Sequence, residues 1–318
     1  MLWFCLDYCS GQNWQHKMKR YLLVCAIACA NIDIASAALD GAKIDQIIGL
    51  KGKLNDKENA YKVTWPRGDV KVSVDNWTMS PFMGLGTWAA FTETQSGGMV
   101  MGDTVLFEDE VNAAMTAALD NGLSVTALHN HFFFDHPKVF FMHIEGEGSV
   151  EQLAGAVKKM YDAVKQVRAS IPQPKESFGT SALPEKNSIS PDPLNKIFGT
   201  QGEAKDGMLK FTFGRPATMH GVKIDNTMGV NTWAAFAGSD DNAVVDGDFA
   251  VTEDELQAVL KSLVKQKIYI VAIHQHMTHE QPRIMFFHYW GRGHTKDLAE
   301  TIKGAFFIAG LQEVSSPK

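Results

Sequence analysis

Residues 127–144 read ALHNHFFFDHPKVFFMHI, and residues 272–289 read AIHQHMTHEQPRIMFFHY. His129, His131 and His143 of the first stretch return as His274, His276 and His288 in the second, each 145 residues further on. Each stretch predicts two strands around a turn, residues 124–131 and 138–144 in the first. Side chains at i and i+2 of a strand share a face, and residues paired directly across an antiparallel hairpin share it too. With Asp135-His136-Pro137 at the centre of the turn, His129 is expected opposite His143, and His274 opposite His288 in the second stretch. Three imidazoles then converge on one face of each hairpin. An even shift of register preserves that convergence, and an odd one destroys it. The opposite face carries Leu128, Phe140 and Met142, or Ile273, Met285 and Phe287, and suits packing under helices. Phe141 and Phe286 share the histidine face, which predicts at least half burial and neutral imidazoles, the metal-binding form.

The 145-residue offset extends well beyond the hairpins. Met83-Gly84 and residues 87–91 (TWAAF) match Met228-Gly229 and residues 232–236, Gly102-Asp103 matches Gly247-Asp248, and Pro137 matches Pro282. Upstream the offset drifts, with Arg67 aligned to Arg215 and Gly49 to Gly199. Each copy predicts early strands (61–65 and 210–213), the TWAAF strand, a strand around Gly102 or Gly247, a helix, the histidine hairpin and a final helix. Leu256, Val259, Leu260, Leu263 and Val264 make one apolar helix face, opened by a Thr252/Glu255 capping box. Val111, Met115, Ala118 and Leu119 repeat it, and Leu153, Val157, Met160 and Val164 begin the last helix face, matched by Leu298, Ile302, Ala305 and Phe306. The order predicts an α+β fold: two tandem homologous repeats, each an antiparallel sheet with helices on one face. Repeat 1 is expected over residues 38–170, a Pro-rich linker over 171–193 and repeat 2 over 194–318. The halves are expected to pack as a pseudo-twofold dimer that covers the two histidine faces.

The chain has 318 residues, 45% hydrophobic and 21% charged, with a net charge of −6. That negative balance argues against a nucleic-acid partner, which needs a basic surface. Lys17, Lys19 and Arg20, the apolar run 21–30 and Ala35-Ser36-Ala37 follow the order of a secretory signal peptide, residues 1–37, with Met18 as its expected true start. All four cysteines precede the expected cleavage point, so a mature chain would carry no disulfide. No later segment is long and apolar enough to be transmembrane. A periplasmic or secreted location is expected, with a lipoprotein ranked second.

Three imidazoles repeated in a chain free of mature cysteine point to a divalent transition metal, with zinc the leading ion. Metal ligands are thus expected at His129, His131, His143, His274, His276 and His288. Asp135 and Glu280 recur beside the turns and are candidates for a fourth ligand or, in a metal-dependent hydrolase, for the general base. A metal-free module binding a small molecule through the imidazoles is the third reading. Asp103 and Asp248 follow a glycine near a strand end and could reach a site, but read first as turn or helix-entry residues; Trp88 and Trp233 read as core, and Met79, Met83, Met99 and Met101 as core filling ahead of soft copper ligands.

These residues also resemble a family. Residues 87–91, the Gly-Asp strand, residues 127–131 (ALHNH), Met142-His143-Ile144, residues 281–284 (QPRI) and residues 288–291 (HYWG) are similar to the LppY/LpqO family of exported bacterial proteins. The resemblance implies export and a duplicated domain, and places His129, His131, Asp135 and His143 on a first motif and His274, His276, Glu280 and His288 on a second. It implies no reaction. Gln275 stands where the family suggests Asn.

Overall fold

The computed structural model of the chain describes residues 39–311, so the expected signal peptide lies outside the described residues. Repeat 1 runs α1 (Gly41–Ile48), β1 (Lys53–Asn55), β2 (Ala60–Pro66), β3 (Ser73–Val74), β4 (Trp77–Thr78), β5 (Gly86–Thr94), β6 (Gly97–Phe107), α2 (Val111–Asp120), β7 (Ser124–His129), β8 (Asp135–His136), β9 (Val139–Gly148) and α3 (Val150–Ser170). Repeat 2 answers with α4 (Pro191–Phe198), β10 (Glu203–Lys205), β11 (Met208–Gly214), β12 (Ala217–Met219), β13 (Val222–Ile224), β14 (Asn231–Ser239), β15 (Asn242–Thr252), α5 (Glu253–Lys265), β16 (Tyr269–His274), β17 (Glu280–Gln281), β18 (Ile284–Gly293) and α6 (Thr295–Ile308).

The long strands form one 12-stranded antiparallel sheet in the order β1-β2-β5-β6-β9-β7-β16-β18-β15-β14-β11-β10. The order is palindromic about β7 and β16, so the pseudo-twofold axis passes between them. Those two edge strands meet at the pair Leu128 and Ile273. Both residues are buried in a single core that includes the apolar faces of the helices of both repeats. Period-2 burial explains the strands. In β14 Ala234 and Phe236 enter that core, while Trp233 turns to the other face. The helix faces expected from sequence are all buried, and the Thr252/Glu255 capping box is formed.

The hairpin register differs by two residues from the expectation. Ala127 pairs with His143 and His129 with Phe141, and in repeat 2 Ala272 pairs with His288 and His274 with Phe286. A matched bulge in β7 and β16, between Val125 and Ala127 and between Ile270 and Ala272, accompanies it. The shift is even, so the histidines stay on one face. Leu128, Phe140 and Met142, with Ile273, Met285 and Phe287, all face the helices.

Three expectations are corrected. The halves join edge to edge through β7 and β16, so neither covers the other's histidine face. Each histidine face is instead partly covered from its own repeat. β3, β4 and β8 form a three-stranded sheet in repeat 1, and β12, β13 and β17 form its counterpart in repeat 2. Second, the irregular linker ends at Ser190, because Pro191 and Pro193 lie in the first turn of α4, where a missing N–H costs nothing. Third, α1 and α4 were not expected. Each ends on a glycine in the left-handed region, Gly49 at φ 77° and Gly199 at φ 73°, which is why those glycines align.

Candidate metal centre

The sheet brings His129, His131 and His143 together in repeat 1, and His274, His276 and His288 in repeat 2. His129 stacks on His143 with ring centroids 5.1 Å apart, and His274 on His288 at 4.9 Å. The second histidine of each motif follows the strand end and folds back. His131 lies flat on Phe141 at 3.4 Å, and His276 on Phe286 at 3.5 Å. Phe141 and Phe286 are the buried platforms that fix these rings. His131 and His276 are exposed and the other four are half-buried, so the histidine faces are more open than the sequence suggested.

A carboxylate joins each cluster. Asp103 pairs with His143 across β6 and β9, and Asp248 with His288 across β15 and β18. Both are buried. Ligand atoms of Asp248, His274 and His276 all lie within 4.8 Å of one another. The His276 Nδ1–H donates to the Gly229 carbonyl (3.2 Å), which turns the lone pair of Nε2 towards Asp248 Oδ2 at 3.4 Å. The His288 Nδ1–H likewise donates to the Gly247 carbonyl at 3.3 Å. In repeat 1 the Nε2 atoms of His129 and His131 face each other at 3.2 Å. In the metal-free protein one of these nitrogens donates its N–H to the other, and with both in the opposite tautomer the two lone pairs can share a cation. Asp103 Oδ1, Asp248 Oδ1 and His274 Nδ1 are buried without a hydrogen-bond partner.

The electrostatics follow from burial. Burial pushes the Asp248 carboxyl up to about 7; the nearby His288 opposes the shift and Asp246 adds to it. Burial raises Asp103 too, against the pull of His143 and His129. His274 falls to about 4, through burial first and then through His288 and His276. His129 and His131 are lowered by burial and by His143, and His276 by burial despite its bond to Gly229. The depressed imidazoles are neutral at pH 7, which is the form that ligates metal. Beside repeat 1's cluster opens a cleft of about 480 Å³ lined by Pro81, Phe82, Trp88, Asp103, His131 and Phe141.

Asp135 and Glu280 are placed differently. Asp135 accepts from Val139 N (2.7 Å) and pairs with Lys138 Nζ (3.0 Å). Glu280 accepts from Ile284 N at 3.1 Å. Both side chains are fully buried and brace the loop between the hairpin strands, and neither belongs to the set formed by Asp248, His274 and His276. The carboxylates beside the imidazoles are Asp103 and Asp248, which the sequence reading assigned to turns. The missed signal was available: the Gly-Asp pair recurs at the same offset, on the strand that neighbours the histidine strand. Trp88 and Trp233 share the rows of Asp103 and Asp248 on the histidine face and are not core. Met79 is buried, but Met83 and Met101 are exposed, so they fill no core.

No curated protein matches the chain. A solved structure, "Crystal structure of a trimeric bacterial microcompartment shell protein PduB", is similar over 81% of this chain and 89% of that one, at 9% identity and a TM-score of 0.22. A likeness that slight carries no argument. No helix among the described residues is long and apolar enough to cross a membrane. The family described as "Domain of Unknown Function (DUF1259)" matches residues 42–163 and again 192–307. Those two spans take in more than half of the chain and coincide with the two structural repeats, each carrying one histidine hairpin. The chain therefore belongs to this DUF1259 family and carries its domain twice.

Proposed function

We propose that the protein is an exported metal-binding protein that holds a divalent transition ion, zinc first, on each histidine face. The observation that carries this reading is the set Asp248, His274 and His276, with ligand atoms within 4.8 Å and with Asp248 Oδ1 and His274 Nδ1 left without partners. Imidazoles plus one carboxylate suit zinc, copper and nickel. Ligand atoms around a tetrahedral zinc lie about 3.4 Å apart, so the side chains need close by only an ångström or so. Export, and kinship with the LppY/LpqO family, are part of the same proposal and rest on residues 1–37 and on the motifs quoted above. The test is metal analysis of tag-free mature protein, with and without His274→Ala plus His276→Ala. We expect near-stoichiometric metal that falls in the double variant. Substoichiometric metal that the substitutions leave unchanged overturns the reading.

The cleft beside His131 favours one second reading, a metal-dependent hydrolase. A metal with an open position lowers the pKa of bound water to about 7. Asp135 is committed to the loop backbone, so the base in that case is Asp103, at the cleft wall. Hydrolysis of a panel of ester and phosphoester substrates that is lost in Asp103→Asn with metal retained would support it, and no turnover with any of them would count against it.

A further inference from the structure

The two histidine clusters occupy one face of one sheet, and the strand register sets them side by side. Leu128 pairs with Ile273 across the junction of the repeats. In an antiparallel pair the next positions then oppose one another, Ala127 with His274 and His129 with Ala272. His143 pairs with Ala127, and His288 with Ala272. Two rows therefore cross the junction, His143–Ala127–His274 and His129–Ala272–His288. In each row only an alanine methyl separates an imidazole of one repeat from an imidazole of the other.

The face is settled independently. Leu128 and Ile273 are buried in the helix-side core, so the alternate residues of both strands point away from it. On the histidine side, each repeat has its own small apolar cluster, one containing Phe141 and the other Phe286. The alanine rows lie between the two.

We propose that the repeats hold their metals as a pair across the pseudo-twofold axis, one composite dinuclear face and not two independent sites. This rests on the metal-binding reading above. The centre of repeat 1's cluster lies near β9 and that of repeat 2's near β18, three strand spacings apart in the sheet order. At about 4.8 Å per spacing, the ions stand about 14 Å apart. Among the buried polar atoms without partners, Asp103 Oδ1 falls in repeat 1's cluster and Asp248 Oδ1 and His274 Nδ1 in repeat 2's, so both halves have donors to offer. The duplication thereby acquires a purpose: the second repeat completes the face of the first.

Copper(II) is the probe. Mature protein is titrated with copper and studied by dipolar electron paramagnetic resonance. We expect two coppers per chain and a dipolar coupling for a separation of about 14 Å. His274→Ala plus His276→Ala should halve the copper and abolish the coupling. His276→Ala alone, at an exposed position that does not threaten folding, should weaken the second copper and reduce the coupled fraction. Two coppers without coupling, or coupled at more than about 20 Å, overturn the pairing and leave the metal reading standing. One copper in the unsubstituted chain overturns the pairing and confines the metal reading to one histidine face, and no copper overturns both.

Discussion

Arg67 is only 1% exposed and carries a full charge. It grips Glu110 through two hydrogen bonds of 2.9 and 3.0 Å, bonds the Val105 carbonyl at 2.7 Å, and pairs with Asp69. Glu110 in turn accepts from Phe107 N at the entry to α2. Arg215 and Glu255 repeat the arrangement at the entry to α5. Both pairs anchor a helix start to the sheet. Arg67→Met takes two hydrogen bonds from the buried Glu110 and leaves it Arg168 (2.7 Å) as its ionic partner, and we expect a loss of about 2–3 kcal/mol in urea unfolding. Lys does not restore it, having one point charge in place of the fork. Burial opposes ionisation of Asp69, but Arg67 outweighs it and holds the carboxyl below its ordinary value. Its folded value is below the unfolded one, so its contribution is present above the unfolded value of about 4 and is lost as pH falls through the folded value. Asp248 has the opposite sign. Its carboxyl is raised to about 7, so its ionisation costs the metal-free protein stability as pH rises from about 4 to 7. Asp248→Asn should raise the metal-free Tm at pH 8, with less gain at pH 4, and should cut the stabilisation that added zinc gives. A lower metal-free Tm at pH 8 would contradict this.

At the scale of elements, the weak place is the junction of β7 and β16, whose ladder consists of the single pair Leu128 and Ile273. Side chains supply what the ladder lacks. Gln257 of α5 accepts from Val125 N (2.8 Å) and donates to Val125 O (3.0 Å). Asn112 of α2 donates to Ile268 O (2.8 Å) and accepts from Ile270 N (3.3 Å). Asn112 and Gln257 are 145 residues apart, as are Val125 and Ile270, so each repeat reaches over to satisfy the other's edge strand. Gln257→Ala leaves a buried amide without a partner, and we expect a cost of about 1–3 kcal/mol. Hydrogen exchange at the Val125 amide should accelerate accordingly, and unchanged protection there would refute the role. Gly247 shows the same economy on the helix side. A Cβ at that position would sit 2.2 Å from the Tyr289 hydroxyl, which crosses to donate to the Trp233 carbonyl.

For the whole molecule, the helices of both repeats share one core, and both histidine faces lie on the opposite side of the sheet. A shared core gives one cooperative unit. Calorimetry should record a single unfolding transition for the intact chain, and residues 190–311 alone should associate or aggregate through the bared edge of β16. Two separated transitions would indicate independent repeats. If metal binds as proposed, it stabilises by mass action, about 2.7 kcal/mol when free metal is a hundred times Kd. A chelator should then lower the Tm of the purified protein. A melt indifferent to both zinc and chelator would argue for the metal-free reading.

Periodicity and repetition are local properties, and residues 127–144 and 272–289 carried them openly. They determined the duplication, the α+β class, the helix faces and the one-sided convergence of each histidine triad, because a strand's period of two survives any even shift of register. What they left undecided was long-range. Asp103 and Asp248 approach the imidazoles through β6–β9 and β15–β18 pairing, and no pattern within a single strand encodes its neighbour. Asp135 and Glu280 sit closer to the histidines in sequence, yet each carboxylate turns an oxygen to a nearby backbone amide, Val139 N or Ile284 N. From sequence alone, face-to-face packing is the economical way to bury Phe141 and Phe286. The tertiary structure buries them under small sheets within each repeat and spends the junction on an edge-to-edge seam, because unpaired strand edges and open helix faces both had to be closed.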